Sequence, residues 1–151
     1  MIARGRRARG PALALGAAAA AALACGCQGP RDTVEVTAQL LDVPPGAIFK
    51  RDLYNYATVL KYRVLCVHRG RVAEDVIYVA HYNPFKRRAE AADRRVRNVG
   101  GDLDAFLAGD AHRMVLVPDA EAHYMGGVVN LYLDQGASKP YWAVRTDRAD
   151  R

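Results

Sequence analysis

Three histidines, each next to another polar side chain, are the residues of this chain best suited to bind a metal ion or a ligand. Neutral imidazoles are common ligands of divalent metals. The spacings between the histidines, 31 and 11 residues, match no metal-binding motif, so we predict neither a metal nor another cofactor. We predict instead a candidate ligand site made of His81, Tyr82, Asn83, His112, Arg113, His123 and Tyr124. The alternative, that these are unrelated surface or rim residues, stays open.

The sequence lacks the motifs of the common catalytic mechanisms. It contains no Gly-x-Ser-x-Gly elbow, no paired-carboxylate motif and no Cys-x-x-Cys in the mature domain, and Ser138 is its only serine. Cys66 has the right parity to share a strand face with His68, but it lies in an apolar run, and we predict a buried thiol. We therefore predict no catalytic residues. Trp142 either joins exposed tyrosines in a stacking platform or fills the core, and we favour the core.

The positive charge of the chain lies mainly in its first residues. Four of the 22 Lys and Arg precede Cys25, where there is no acid, so 18 remain against 16 Asp and Glu, a net charge of +2. A balance this small gives no general attraction for nucleic acid, and we predict no nucleic-acid partner. The basic run at residues 86–97 fits an anionic polysaccharide or lipid headgroups, or equally a solvated helix face.

The first 24 residues have the three-part layout of a secretory signal peptide. An arginine-rich start is followed by an apolar, alanine-rich stretch and by small residues around Cys25 and Cys27. The apolar stretch spans about 14 residues, whereas a membrane-spanning helix needs about 18 or more. We expect export and cleavage, with residues 25–32 as a tether, residues 33–146 as one domain and residues 147–151 as a frayed tail.

The segment Ala22-Leu23-Ala24-Cys25 resembles a bacterial lipoprotein signal. The resemblance implies that Cys25, or alternatively Cys27, is acylated and becomes the new N-terminus. Neither Gly26 nor Gln28 is the aspartate that retains such proteins at an inner membrane, which implies the periplasmic side of an outer membrane or the cell surface. Simple cleavage after Ala24, with two ordinary cysteines, is the alternative.

Alternating apolar residues predict a strand-rich domain with one helical stretch. Strands are predicted at 33–43, 56–68, 74–82, 112–117, 128–133 and 141–146, the second one bent or bulged because of its length. A helix is predicted over 87–99, ended by Gly100-Gly101, and Leu103, Phe106 and Leu107 have the spacing of one further helical turn. This order predicts a mainly β fold, a small antiparallel OB-like barrel with a helical crossover between the third and fourth strands.

The domain resembles the netrin-like OB-fold shared with tissue inhibitors of metalloproteases. The matching residues are Val34-x-Val36-x-Ala38, Tyr62-x-Val64-Leu65-x-Val67-x-x-Gly70 and Leu107-x-Gly109 followed by Val115. The resemblance implies an inhibitor-like binding module. The family's disulfide framework is absent, and an acylated cysteine cannot offer the free N-terminal amine that its inhibitory edge uses.

These observations together predict an envelope-anchored lipoprotein that acts as a non-enzymatic binding or assembly module. The expected partners are the membrane, through the lipid anchor, and an envelope protein or anionic polysaccharide. The alternative is an enzyme or accessory protein of cell-surface polysaccharide processing that uses the histidine residues.

Overall fold

The computed structural model describes residues 33–45, 55–86, 100–103, 105–137 and 139–149. The predicted signal peptide, the acylated cysteine and the tether lie outside the described residues. The predicted helix over 87–99, most of the basic run and Ser138 lie outside them as well.

Five long strands form a closed barrel. The strands are β1 (Val34–Asp42), β2 (Ala57–Arg69), β3 (Val76–Tyr82), β4 (Ala111–Val117) and β6 (Tyr141–Arg148), with the two-residue β5 (Val128–Val129) outside the ring. The order around the sheet is β1-β4-β6-β3-β2, and pairing of β1 with β2 closes it. This confirms the predicted small OB-like barrel. The β3–β6 pair is parallel, so the barrel is not wholly antiparallel as predicted.

Strands β1 and β2 show how the sequence pattern leads to a barrel. Its residues at 34, 36, 38 and 40 are buried, and the residues between them are partly exposed, as the alternation predicts. Strand β2 spans 13 residues and changes neighbour along its length. It pairs with β3 up to Arg63 and with β1 from Lys61 to Arg69. Register shifts of the kind that β-bulges produce interrupt the β1–β2 pairing, in keeping with the bend or bulge predicted for β2.

A second apolar layer covers the outer face of β2, β3 and β6. It is built by the connection between β4 and β6, which includes the short helix α1 (Ala120–His123), β5 and a 3₁₀ turn (Leu133–Gln135). Trp142 is buried in this layer rather than exposed. Tyr132 donates a hydrogen bond to Asp42 Oδ2 at 2.8 Å, which ties the connection to the end of β1.

Three predictions about the later elements need correction. The strand predicted at 128–133 ends at Val129, because the Asn130 side chain donates to Ala137 O at 2.6 Å and accepts from Tyr132 N at 3.0 Å, which closes a turn. The strand predicted at 141–146 continues through Arg148, so residues 147 and 148, predicted as part of a frayed tail, belong to β6.

The helical turn predicted from Leu103, Phe106 and Leu107 is absent from the described residues 100–103 and 105–110. Leu103 and Phe106 are buried, but Leu107 is 59% exposed. Gly100 instead forms a parallel β-bridge with Arg145 of β6: its N–H donates to Val144 O, and its carbonyl accepts from Thr146 N. A Cβ at Gly101 would lie 1.8 Å from Thr146 O, so this close approach requires glycine.

Candidate functional site

Two of the three predicted histidines meet inside the barrel. His81 on β3 and His112 on β4 are both buried, and the hydroxyl of Tyr62 on β2 lies between them. Tyr62 Oη is 3.0 Å from His81 Nε2 and 3.3 Å from His112 Nδ1. On the far side of His81, its Nδ1 lies 3.5 Å from Thr146 Oγ1. We call these four residues the interior histidine cluster.

Phe106 closes the interior histidine cluster with an aromatic ring. Its centroid lies 4.6 Å from that of His81 and 5.6 Å from that of His112, the latter in an edge-on arrangement. Phe106 is itself buried, so the cluster is sealed beneath apolar side chains. Its place in the core indicates a packing role, in which Tyr62 is the hydrogen-bond partner shared by the two imidazoles.

His112 is neutral at physiological pH. Its pKa is lowered to about 4, chiefly by burial; the negative charge of Asp110 opposes this shift, and the positive charge of Arg148 adds to it. Its Nε2 is buried and has no hydrogen-bond partner. A protonated ring would place an unpaired N–H donor at Nε2 and a positive charge in the core, which is the physical reason for the low pKa.

The remaining predicted site residues do not join the interior histidine cluster. His123 is exposed on α1, and Arg113 faces outward, where it forms an ion pair with Glu35 at 2.7 Å. Within the part of the chain that the structure describes, no three His, Cys, Asp or Glu side chains lie close enough to hold a metal ion. The three histidines therefore do not converge on one site, and a ligand-binding role for them stays a prediction.

Tyr82, Asn83 and Tyr124 belong to the outer layer and its edge. Tyr124 stacks on Trp142 with ring centroids 5.3 Å apart and meets Tyr82 edge-on at 5.5 Å. The Asn83 side chain donates to Asn55 Oδ1 at 2.9 Å and accepts from Tyr56 N at 3.3 Å. These contacts hold the start of β2 against the end of β3.

Cys66 is exposed, so the predicted burial of its thiol is wrong. The thiol is exposed because the last residues of β2 extend beyond Arg63, where the pairing of β2 with β3 ends. The Sγ atom lies 3.9 Å from His68 Nδ1, and His68 Nε2 lies 2.8 Å from Thr37 Oγ1. The predicted shared strand face of Cys66 and His68 is thus present.

A solvent-open groove of about 590 Å³ lies where β3 and β6 begin. Pairing between these strands starts only at Val79 and Tyr141, so residues 76–78 of β3 present an edge to the groove. The side chains that give the groove its chemistry are Glu74, Tyr78, Asp119, Gln135, Lys139 and Tyr141. We call this feature the β3–β6 groove. Its volume falls in the range of small-molecule sites.

The walls of the β3–β6 groove are held in place by cross-connections. Tyr78 Oη donates to Gln135 O at 3.2 Å, and Lys61 Nζ donates to Gln135 Oε1 at 2.9 Å. Partial burial, together with the negative charge of Glu74, raises the pKa of Tyr141, whose hydroxyl therefore stays protonated at neutral pH. The groove offers aromatic surface, carboxylates and an ammonium group to one ligand.

Sequence reasoning missed the groove because its residues come from three separate segments, 74–78, 118–119 and 135–141. The only available signals were the turn residues 135–138 and a tyrosine at the start of β6. Pairing of β3 with β6 across a long sequence separation brings these segments together, and no local pattern encodes that pairing.

Comparison with protein-family models, with curated proteins and with solved structures finds no match. Among the described residues, no helix has both the length and the apolar character needed to cross a membrane.

Proposed function

We propose that this chain is an envelope-anchored lipoprotein whose barrel is a non-enzymatic binding or assembly module. The leader sequence supports export and acylation, and the missing catalytic motifs support a binding role. The observation that carries the binding proposal is the β3–β6 groove, which is open to solvent and mixes aromatic and charged side chains.

The contrast with the interior histidine cluster supports binding over catalysis. A general base must come within hydrogen-bond reach of its substrate, yet His81 and His112 are buried below Phe106. The polysaccharide-processing alternative depends on those histidines and gains no support from their burial.

The second apolar layer covers the face on which OB-like barrels usually bind ligands, which favours the β3–β6 groove as the place where a partner binds. OB-like barrels commonly bind oligosaccharides or oligonucleotides on the outer face of their second and third strands. Here that face is covered by the β4–β6 connection, including Ala120 and Tyr132. A ligand therefore finds its open surface at the end of that connection, beside Lys139 and Tyr141.

Intact-mass measurement of the membrane-extracted protein tests the anchor. We expect a chain that begins at Cys25 or Cys27 and carries acyl groups, and Cys25→Ser with Cys27→Ser should release the protein from the membrane. An untrimmed chain that retains Met1 and is dissolved in the cytosol would contradict the proposal.

Site-specific photocrosslinking in intact cells tests the groove. A benzoylphenylalanine at Tyr141 should give a discrete adduct with an envelope protein or polysaccharide, and the same group at exposed Leu107 should not. Lys139→Ala should reduce the adduct at position 141 without changing the amount of protein. Equal adducts at both positions, or none at either, would count against the groove.

A further inference from the structure

The N-terminal part of the chain leaves the barrel at one defined end. Arg69, the last residue of β2, donates from Nη2 to Thr33 Oγ1 at 2.9 Å. The backbone of Gly70 packs against Thr33 and Val34, since a Cβ there would lie 3.2 Å from both residues. The point at which residues 1–32 leave the barrel is thus fixed beside the end of β2.

The predicted tether can reach only a distance comparable to the length of the barrel. Residues 25–32 number eight, and the average span of a polypeptide of that length with random-coil statistics is ~16 Å. Fully extended, they reach ~27 Å. Strand β1, with nine residues, is ~30 Å long. An anchor at Cys25 therefore keeps this end of the barrel closer to the bilayer than the opposite end.

The surface at this end suits the boundary between headgroups and acyl chains. Leu65 is 55% exposed and Val67 is 38% exposed, although both lie on a strand. Arg69 and Arg71 are exposed next to them, and Glu74 and Asp75 follow in the same loop. The charges therefore largely balance, and the apolar side chains are what distinguish this surface.

At this end of the barrel, one edge of β2 is not paired with another strand among the described residues. Strand β3 pairs with β2 only as far as Arg63, and Val64 N donates to Asp75 O. Beyond Val64, the described residues provide β1 as the single neighbour of β2. Polar headgroups can bond an exposed strand edge, as water does, whereas the hydrocarbon region cannot.

We propose that residues 65–72, which we call the anchor end, contact the lipid bilayer into which the acylated cysteine inserts. Leu65 and Val67 reach the acyl boundary, and Arg69 and Arg71 lie among the phosphates. This inference rests on the lipid anchor of the proposed function. Because the local charges balance, the contact forms on neutral as well as anionic bilayers.

The exposed Cys66 allows a direct test with the full mature protein. The acylated chain, carrying an NBD fluorophore on Cys66 and no other free thiol, is reconstituted into phosphatidylcholine vesicles that contain spin-labelled lipid. We expect quenching at least about twofold stronger than for a Cys66→Ser, Met125→Cys control labelled at position 125. Met125 is 98% exposed and precedes β5, which pairs with the opposite end of β2.

A second variant separates contact from mere proximity. Leu65→Asp with Val67→Asp changes two exposed side chains, so folding should persist while quenching at Cys66 falls to the level of the control. Equal quenching at positions 66 and 125 in acylated protein would overturn the inference and leave the lipid anchor standing. A protein without acyl groups by intact mass would overturn both.

The test also recognises a second copy of the chain as the occupant. In that case the fluorophore on Cys66 would be shielded in detergent without vesicles, increasingly so at higher protein concentration, and that result would overturn the lipid contact.

Discussion

The interior histidine cluster and the β3–β6 groove both gather polar side chains, but they differ in their access to water. In the cluster, Tyr62 links two buried imidazoles and Phe106 seals them from solvent. In the groove, Lys139, Glu74 and Asp119 are exposed. The comparison teaches that a residue type suited to chemistry becomes a site only where the fold leaves it open, and that otherwise it contributes to stability.

The largest effect on stability is expected when Tyr62, which links the two imidazoles of the interior histidine cluster, is replaced. Tyr62→Ala leaves a cavity and two imidazoles without their shared partner, and we expect it to lower the free energy of unfolding by about 3–5 kcal/mol. Urea denaturation followed by circular dichroism measures the loss. A decrease below about 1 kcal/mol would mean that the cluster does not stabilise the barrel.

The pH dependence of stability reports on the same cluster. Folded His112 stays neutral down to its pKa of about 4, whereas the unfolded ring takes up a proton near 6.5. The unfolded chain therefore binds more protons between these values, so the stabilising contribution is full above pH 6.5 and is lost as the pH falls towards 4. We expect a loss of about 3 kcal/mol from this group between pH 7 and pH 4.

Urea midpoints measured across that pH range check the expectation, with His112→Leu as the matched variant. The substitution should flatten the pH profile over this window, because it removes the titrating ring and its unpaired Nε2. Parallel profiles for the two proteins would show that His112 is not the group responsible.

The smallest effect on stability is expected in the groove. Lys139→Ala alters an exposed side chain, so the free energy of unfolding should change by no more than about 0.5 kcal/mol. The same substitution should weaken the adduct at position 141. A large loss of stability with Lys139→Ala would erase the distinction between the two regions.

More of the fold than of the candidate site could be predicted from the sequence. Alternation in β1 and the length of β2 are local patterns, and they lead to a barrel because each strand must bury one face. The turn made by Asn130 depends on bonds to Tyr132 and Ala137, and the burial of His81 and His112 depends on which strand faces meet. These features arise from tertiary pairing, so neither the location of the histidines nor the groove could be predicted from the sequence.

Strand β1 has a mechanical consequence for any tension that enters through Thr33. It is hydrogen-bonded to β2 on one side and to β4 on the other. Antiparallel ladder bonds lie across the strand direction, so a pull along β1 loads both rows in shear. The strand would have to slide past two neighbours at once, so the two rows of hydrogen bonds resist such a pull together.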